Sequence, residues 1–172
     1  MPHKKALLVI DLQNDYLWNE RKAMFSYDTA ALMQAVNATI RSRQAEGWDI
    51  IYIAQMFPDL PTNRALIGFS IKGTKGAELY SGLEVVSDLY FEKHLPDTFT
   101  AKAFRTFMQK QGYAEIAVCG LDECGCVGAT AKGAVKTGAK VTLIEKATVC
   151  RFPEAKQQKM RARLAKLGVQ YV

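Results

Sequence analysis

Apolar residues along the chain gather into short unbroken runs, separated by longer stretches in which apolar and polar positions alternate at helical spacing. "KKALLVIDLQND" is a run ending in an acid and polar residues, the pattern of a strand buried on both faces whose carboxyl end opens into a site. Asp11 falls at that strand tip. From Asp28 to about Glu46, Leu32, Val36, Ile40 and Arg43 recur at helical spacing, with Gly47 placed to end a helix. "WDIIYIAQ" predicts a second buried strand. Residues 56–83 hold Pro58, Pro61, Gly68, Gly73, Gly76 and Gly82 without sustained periodicity, which predicts a long loop region with room for a helical turn. "EVVSDLYFEK" predicts a third strand or a pair of short extended pieces, and "TAKAFRTFMQKQG" a helix closed by Gly112. "AEIAVCG" reads as a fourth strand, "CVGATAKGAVKTG" as a helix and "AKVTLIEK" as a fifth strand. A helix from Pro153 to Leu167 and a short last strand in "GVQYV" complete the chain.

Strand and helix alternate throughout, which selects a three-layer α/β/α sandwich around a mainly parallel sheet with right-handed crossovers. A chain of 172 residues fits one domain, here 1–172, since a chain of that size buries about 70% of its unfolded surface. In such sheets ligands bind beyond the carboxyl ends of the strands. Asp11, the residues after Ala54, Lys93 and the run 120–126 all lie at such ends, so four separate pieces of sequence converge.

Composition narrows the function classes. At 49% hydrophobic and 23% charged, with no repeat, the sequence is that of an ordinary globular protein. No apolar run approaches the roughly 18 to 20 residues that span a bilayer, and the apolar stretch of "MPHKKALLVID" is too short for a signal peptide, so a cytoplasmic location is expected. Cys119, Cys124, Cys126 and Cys150 are too few for a disulfide scaffold, and free thiols in a reducing compartment follow. Much of the formal charge of +6 sits in "EAKQQKMRARLAKLG", which lacks the interleaved aromatics of a nucleic-acid surface and reads as the solvated face of a helix.

Two cysteines stand one residue apart in "GLDECGCVGATAKGA". Cys126 holds the start of a helix better than Cys124, because small residues continue directly from it, and a helix start favours a thiolate. A nucleophilic cysteine also needs a base, a cation and donors for the oxyanion. Asp11 and Lys93 have the chemistry for the first two, and both lie at the same sheet edge.

These residues also carry a resemblance. "ALLVIDLQNDY", "FEKHLPDTFTAKAF" and "AVCGLDECGCVGATAKGAVKTGAKVTLIEKA" are similar, in order and separation, to the three signature blocks of the isochorismatase-like cysteine hydrolases. The resemblance implies a six-stranded sheet of order 3-2-1-4-5-6 and a triad on Asp11, Lys93 and Cys126. It further implies a cis peptide between Leu121 and Asp122, which aims the backbone N–H groups of Asp122 and Cys126 at an oxyanion. The expected activity is hydrolysis of a small amide or carbamoyl C–N bond through a thioester, in a homodimer or homotetramer, with no cofactor, nucleic acid or membrane involved. That mechanism calls for an environment that lowers the Cys126 pKa below the ordinary value of about 8.5.

The chain departs from the family pattern in two places. Members that hydrolyse nicotinamide carry an aspartate and two histidines as a metal site after the second strand, whereas here Gln55 and Phe57 stand near those positions and the only histidines are His3 and His94. A metal is therefore not expected, and the presence of Cys126 argues against the isochorismate-cleaving branch. After "Gly-Leu" the chain has Asp122 and Glu123 in place of small or hydroxylic residues. Glu123 reads either as a first-turn acid complementing the helix dipole or as a substrate-binding group for an amine-bearing compound. Tyr16 and Phe57 are expected as apolar pocket walls.

Four rival readings stay open. Cys124 and Cys126 form a thiol redox pair, although a helical turn between them would point them apart. Cys119, Cys124, Cys126 and His94 hold zinc, at a spacing that fits no usual site. A nucleotide-binding module would need a glycine pattern that "GLDECG" lacks. The last is a catalytically idle scaffold of the same fold.

Overall fold

Strand β1 (Lys5–Ile10) takes up the first apolar run, and its residues are buried alternately in two directions: Leu7 and Val9 into one core, Ala6, Leu8 and Ile10 into the other. A strand apolar on both sides has to lie between two layers. The computed structural model describes residues 3–172 and supplies both. Strands β1, β2 (Asp49–Gln55), β3 (Tyr90–Lys93), β4 (Glu115–Leu121), β5 (Lys140–Val149) and β6 (Gln170–Tyr171) form one six-stranded sheet of order β3-β2-β1-β4-β5-β6. Every pairing is parallel.

The helices are α1 (Asn14–Leu17), α2 (Thr29–Ala45), α3 (Pro61–Leu66), α4 (Lys102–Gln111), α5 (Gly128–Val135) and α6 (Glu154–Lys166). Leu32, Met33, Val36 and Ile40 of α2 cover one face of the sheet. Phe104 and Met108 of α4, Ala131 and Ala134 of α5 and Leu164 of α6 cover the other. Asp28 caps α2 by accepting a hydrogen bond from the Ala31 N–H, 3.1 Å. No helix among the described residues is long and apolar enough to cross a membrane.

Three local features differ from the sequence expectation. The four-residue α1 is too short to show a period. Residues 56–83 are the expected long segment with a helical turn, α3, and add a 3₁₀ turn at Lys75–Ala77. The buried Gln13 side chain ties this segment to the sheet, its Nε2 donating to the carbonyls of Gln55 (2.9 Å) and Ala77 (2.8 Å) and its Oε1 accepting from the Gln55 N–H (2.8 Å). The third strand is only Tyr90–Lys93, and the fifth runs on past "AKVTLIEK" to Val149.

The register between β4 and β5 shifts between Val118 and Gly120. Gly120 has φ +115, and a Cβ there would press into the backbone of Ile10 on β1. Gly120→Ala should therefore destabilise the protein by about 2–3 kcal/mol, through overpacking and an unfavourable φ, both against rigid backbone. A fall in the urea midpoint at unchanged m value would show it, and a wild-type midpoint would mean that β1 and β4 can part at no cost.

Candidate active site

Beside the β1–β4 pair the strand order reverses, and at the carboxyl end of such a switch point the diverging connections leave a crevice. Asp11 follows β1, Lys93 ends β3, and Cys126 sits in the turn between β4 and α5. The three side chains meet there. Lys93 is 0% exposed, and its ammonium reaches Asp11 Oδ2 at 3.1 Å, Gln55 Oε1 at 2.6 Å and Cys126 Sγ at 3.2 Å. An ammonium has three donors, and each has a partner. Asp11 adopts φ 57, a left-handed conformation that Asp tolerates better than most residues. Its N–H donates to the Ile53 carbonyl, 2.9 Å, while its Oδ1 is buried without a hydrogen-bond partner.

Electrostatics overturn one expectation. Burial, and then the Asp11 carboxylate, push the Cys126 thiol well above its ordinary range, and Lys93 only partly opposes them. For Lys93, burial pulls the pKa down, but Asp11 and Cys126 outweigh it and hold the ammonium above its usual value. These directions favour an Asp11–Lys93 ion pair beside a thiol that keeps its proton. A helix start and one cation do not suffice for a thiolate when the thiol is enclosed and an acid stands next to it.

The turn carrying Cys126 begins at a cis peptide bond between Leu121 and Asp122. It continues as one π-helical turn, Glu123–Val127, interrupted at Gly125 by φ −120 and ψ −117. That interruption separates the two neighbouring cysteines. Cys126 faces Lys93, whereas Cys124 Sγ lies 3.4 Å from Cys150 Sγ. The Asp122 side chain holds the turn: Oδ1 accepts from the Cys124 N–H (2.9 Å), and Oδ2 accepts from the Arg151 N–H (2.8 Å) and the Tyr27 hydroxyl (3.1 Å).

Asp11 and Cys126 open onto a pocket of about 280 Å³. Tyr16 and Phe57 line it, together with Phe25, Tyr27, Phe69 and Phe152, which the sequence did not single out. Tyr16 accepts a hydrogen bond from the Ser70 hydroxyl, 2.8 Å, which fixes its ring. Arg151 also lines the pocket, its guanidinium 4.3 Å from the Phe152 ring centre and 5.8 Å from that of Phe25. These residues lie in connections without periodicity, and only their aromatic character could have flagged them.

Glu123 corrects the substrate-binding expectation. It is 1% exposed and does not line the pocket. Its carboxylate turns to α6 and accepts from Arg161 Nε (2.7 Å), Arg161 Nη2 (3.3 Å) and Gln157 Nε2 (2.5 Å). A buried acid is drawn to the nearest cation, and here that cation belongs to the protein.

The zinc set of Cys119, Cys124, Cys126 and His94 does not assemble. Cys119 is buried in the core beneath α2, Cys124 faces Cys150, and the His94 Nδ1 lies 2.7 Å from the Met56 carbonyl oxygen. Nor do the residues at the carboxyl end of β2 and just after it suit a metal. Gln55 Oε1 accepts from Lys93 and its Nε2 donates to the His94 carbonyl, 2.9 Å, while Phe57 offers no ligand atom. The one potential ligand group of three among the described residues is Asp122, Cys124 and Cys150, on another side of the turn.

The chain is similar to several known proteins. The chain is 27% identical over 143 residues, 83% of this chain and 76% of the other, to an uncharacterized isochorismatase family protein of Bacillus subtilis (strain 168), YddQ. It is 26% identical over 162 residues, 87% of this chain and 82% of the other, to a probable inactive nicotinamidase of Arabidopsis thaliana. The crystal structure of the pyrazinamidase of Pyrococcus horikoshii in complex with zinc superposes with a TM-score of 0.86 at 22% identity, covering 98% of both chains. The isochorismatase domain model matches residues 5–171, from the first residue of β1 to the last of β6, and the chain belongs to the isochorismatase family.

Proposed function

We propose that this chain hydrolyses the C–N bond of a small amide or carbamoyl compound, with Cys126 as nucleophile. The observation that carries the reading is the fully buried Lys93 ammonium, shared between the Asp11 carboxylate and the Cys126 sulfur. A buried cation with a nucleophile on one side and a base on the other costs stability that packing alone does not require.

The raised thiol pKa assigns the steps. Cys126 rests protonated, so its proton passes to Asp11 as the sulfur attacks the carbonyl carbon. Lys93 offsets the negative charge as it forms. The tetrahedral oxyanion accepts hydrogen bonds from the backbone N–H groups of Asp122 and Cys126. Asp11 then gives its proton to the departing nitrogen, and ammonia or an amine leaves a thioester on Cys126. Water, deprotonated by Asp11, attacks that thioester; the C–S bond breaks, the acid leaves, and Asp11 returns the proton to the Cys126 sulfur. Each step uses only these side chains and the backbone.

The pocket sets the substrate class. Aromatic walls favour a flat or apolar acyl group. Glu123 is neutralised against α6 and Asp11 is paired with Lys93, and the remaining charges of the lining, the Asp122 carboxylate and the Arg151 guanidinium, are of opposite sign. The compound accepted is therefore one without net charge, in place of the amine-bearing substrate that Glu123 suggested.

The test is a panel of small aromatic and aliphatic amides and carbamoyl compounds, scored by ammonia release, with acid-quenched samples mapped by mass spectrometry. The expected result is release from at least one compound and an acyl adduct on the Cys126 peptide. An adduct on Cys124, turnover only after a divalent metal is added, or no release across the panel would overturn the proposal; the last outcome would favour a scaffold that has kept the fold without the reaction.

A further inference from the structure

We propose that Cys124 and Cys150 are a reversible dithiol–disulfide pair, separate from the catalytic thiol. The two residues are 26 positions apart, yet their sulfurs stand 3.4 Å from each other, and both are partly exposed. Topology brings them together. Leu121 and Val149 are register partners at the carboxyl ends of the neighbouring parallel strands β4 and β5. Cys124 and Cys150 follow within three residues and one residue of those ends.

A clamp that does not involve sulfur holds the two segments in place. One carboxylate, that of Asp122, accepts from the N–H of Cys124 through Oδ1 and from the N–H of Arg151 through Oδ2. The backbones on either side of the thiol pair are therefore fixed before any bond forms. Bond formation then asks chiefly for side-chain rotation, and a thiol held against its partner competes well with external thiols. Cys126 takes no part, because Gly125 turns it to Lys93. The pair suggested by "CGC" is thus replaced by one that sequence spacing hides.

The oxidant is a low-molecular-weight disulfide. The Cys150 thiolate attacks one of its sulfurs, breaks the S–S bond, forms a mixed disulfide and releases a small thiolate. Cys124 loses its proton to solvent and attacks the Cys150 sulfur, which forms the Cys124–Cys150 bond and expels the second small thiolate. Two protein thiols are oxidised and one small disulfide is reduced to two thiols.

The bond would staple the nucleophile turn to the Arg151–Phe152 side of the pocket while leaving the nucleophile a free thiol. This inference does not depend on hydrolysis, and its test reads mass alone. The full chain is equilibrated in buffers of graded glutathione to glutathione disulfide ratio, quenched in acid, alkylated while denatured and mapped. Before alkylation the expected product is about 2 Da lighter than the reduced chain, and after it the Cys124 and Cys150 peptides are joined and Cys119 and Cys126 alkylated, with full reversal by dithiothreitol. Cys124→Ser and Cys150→Ser should each abolish the link, Cys126→Ser should not, and the oxidised form should melt several degrees higher because the link restricts the unfolded chain. Three outcomes overturn the proposal: a Cys124–Cys126 link, a persistent glutathione adduct in place of a link, or four free thiols at ratios that oxidise a control dithiol.

Discussion

Cys126→Ala should lower ammonia release by about 10⁴-fold or more, because it removes the atom that bonds to the substrate and leaves only binding and oxyanion donors. The fold should survive, since Lys93 keeps Asp11 and Gln55 as acceptors. Cys126→Ser should be almost as inactive: a hydroxyl holds its proton far more tightly than a thiol, and the neighbouring base is a carboxylate. The pKa direction adds a second readout. With burial and Asp11 holding the thiol protonated, alkylation of Cys126 by iodoacetamide should be slow at neutral pH and rise about tenfold per pH unit into the alkaline range. A rate that reaches its plateau in mild acid would mean a resting thiolate, and Asp11 would lose its role as the first proton acceptor. An alanine variant that still turned over within tenfold of wild type would remove Cys126 from the chemistry.

Lys93→Met should cost about 3–5 kcal/mol in stability, the usual effect of leaving one member of a buried ion pair without its partner. Asp11 is 3% exposed and would keep a carboxylate with an already unpartnered Oδ1 and nothing on Oδ2 to replace the ammonium. The double variant Asp11→Asn/Lys93→Met should recover a large part of that loss while remaining inactive, since two neutral side chains no longer impose a buried charge. Urea unfolding of the four proteins closes the cycle. A loss in the double variant equal to the sum of the two single losses would show that the pair is not coupled. The pH window follows from the direction of the shift. Lys93 is held above its ordinary 10.5, so its contribution is complete below that value and fades only as the pH rises through the folded pKa. Neutral solution therefore gives the full effect.

The sheet was legible because both of its faces are covered. Each central strand is an unbroken apolar run, and Ala6 to Ile10 cannot be satisfied by a single layer. The meeting of Asp11, Lys93 and Cys126 could be anticipated for the same reason, since strand ends at one edge of a parallel sheet share a crevice. What stayed hidden depends on partners distant in sequence. Glu123 looks like a pocket acid until Arg161, 38 positions away, is placed on it. Cys124 looks like the partner of Cys126 until Cys150 arrives from β5. Phe25, Phe69, Arg151 and Phe152 sit in connections that obey no period, so nothing local marks which way they face. The upward push on the Cys126 thiol was not legible, because a sequence shows that a cation is near but not how much water is gone.

The Gln13 clamp bears on how the segment after β2 can change. It binds that segment to the sheet at Gln55 and Ala77, which anchors the stretch that brings Phe69 to the pocket. Between those anchor points the chain bulges outward through α3, where Leu60 and Leu66 are exposed and the Arg64–Asp59 pair closes a purely local turn. That bulge is where insertions or a fused tag would be absorbed without reaching the nucleophile, and it is the natural place to attach a label or a surface tether.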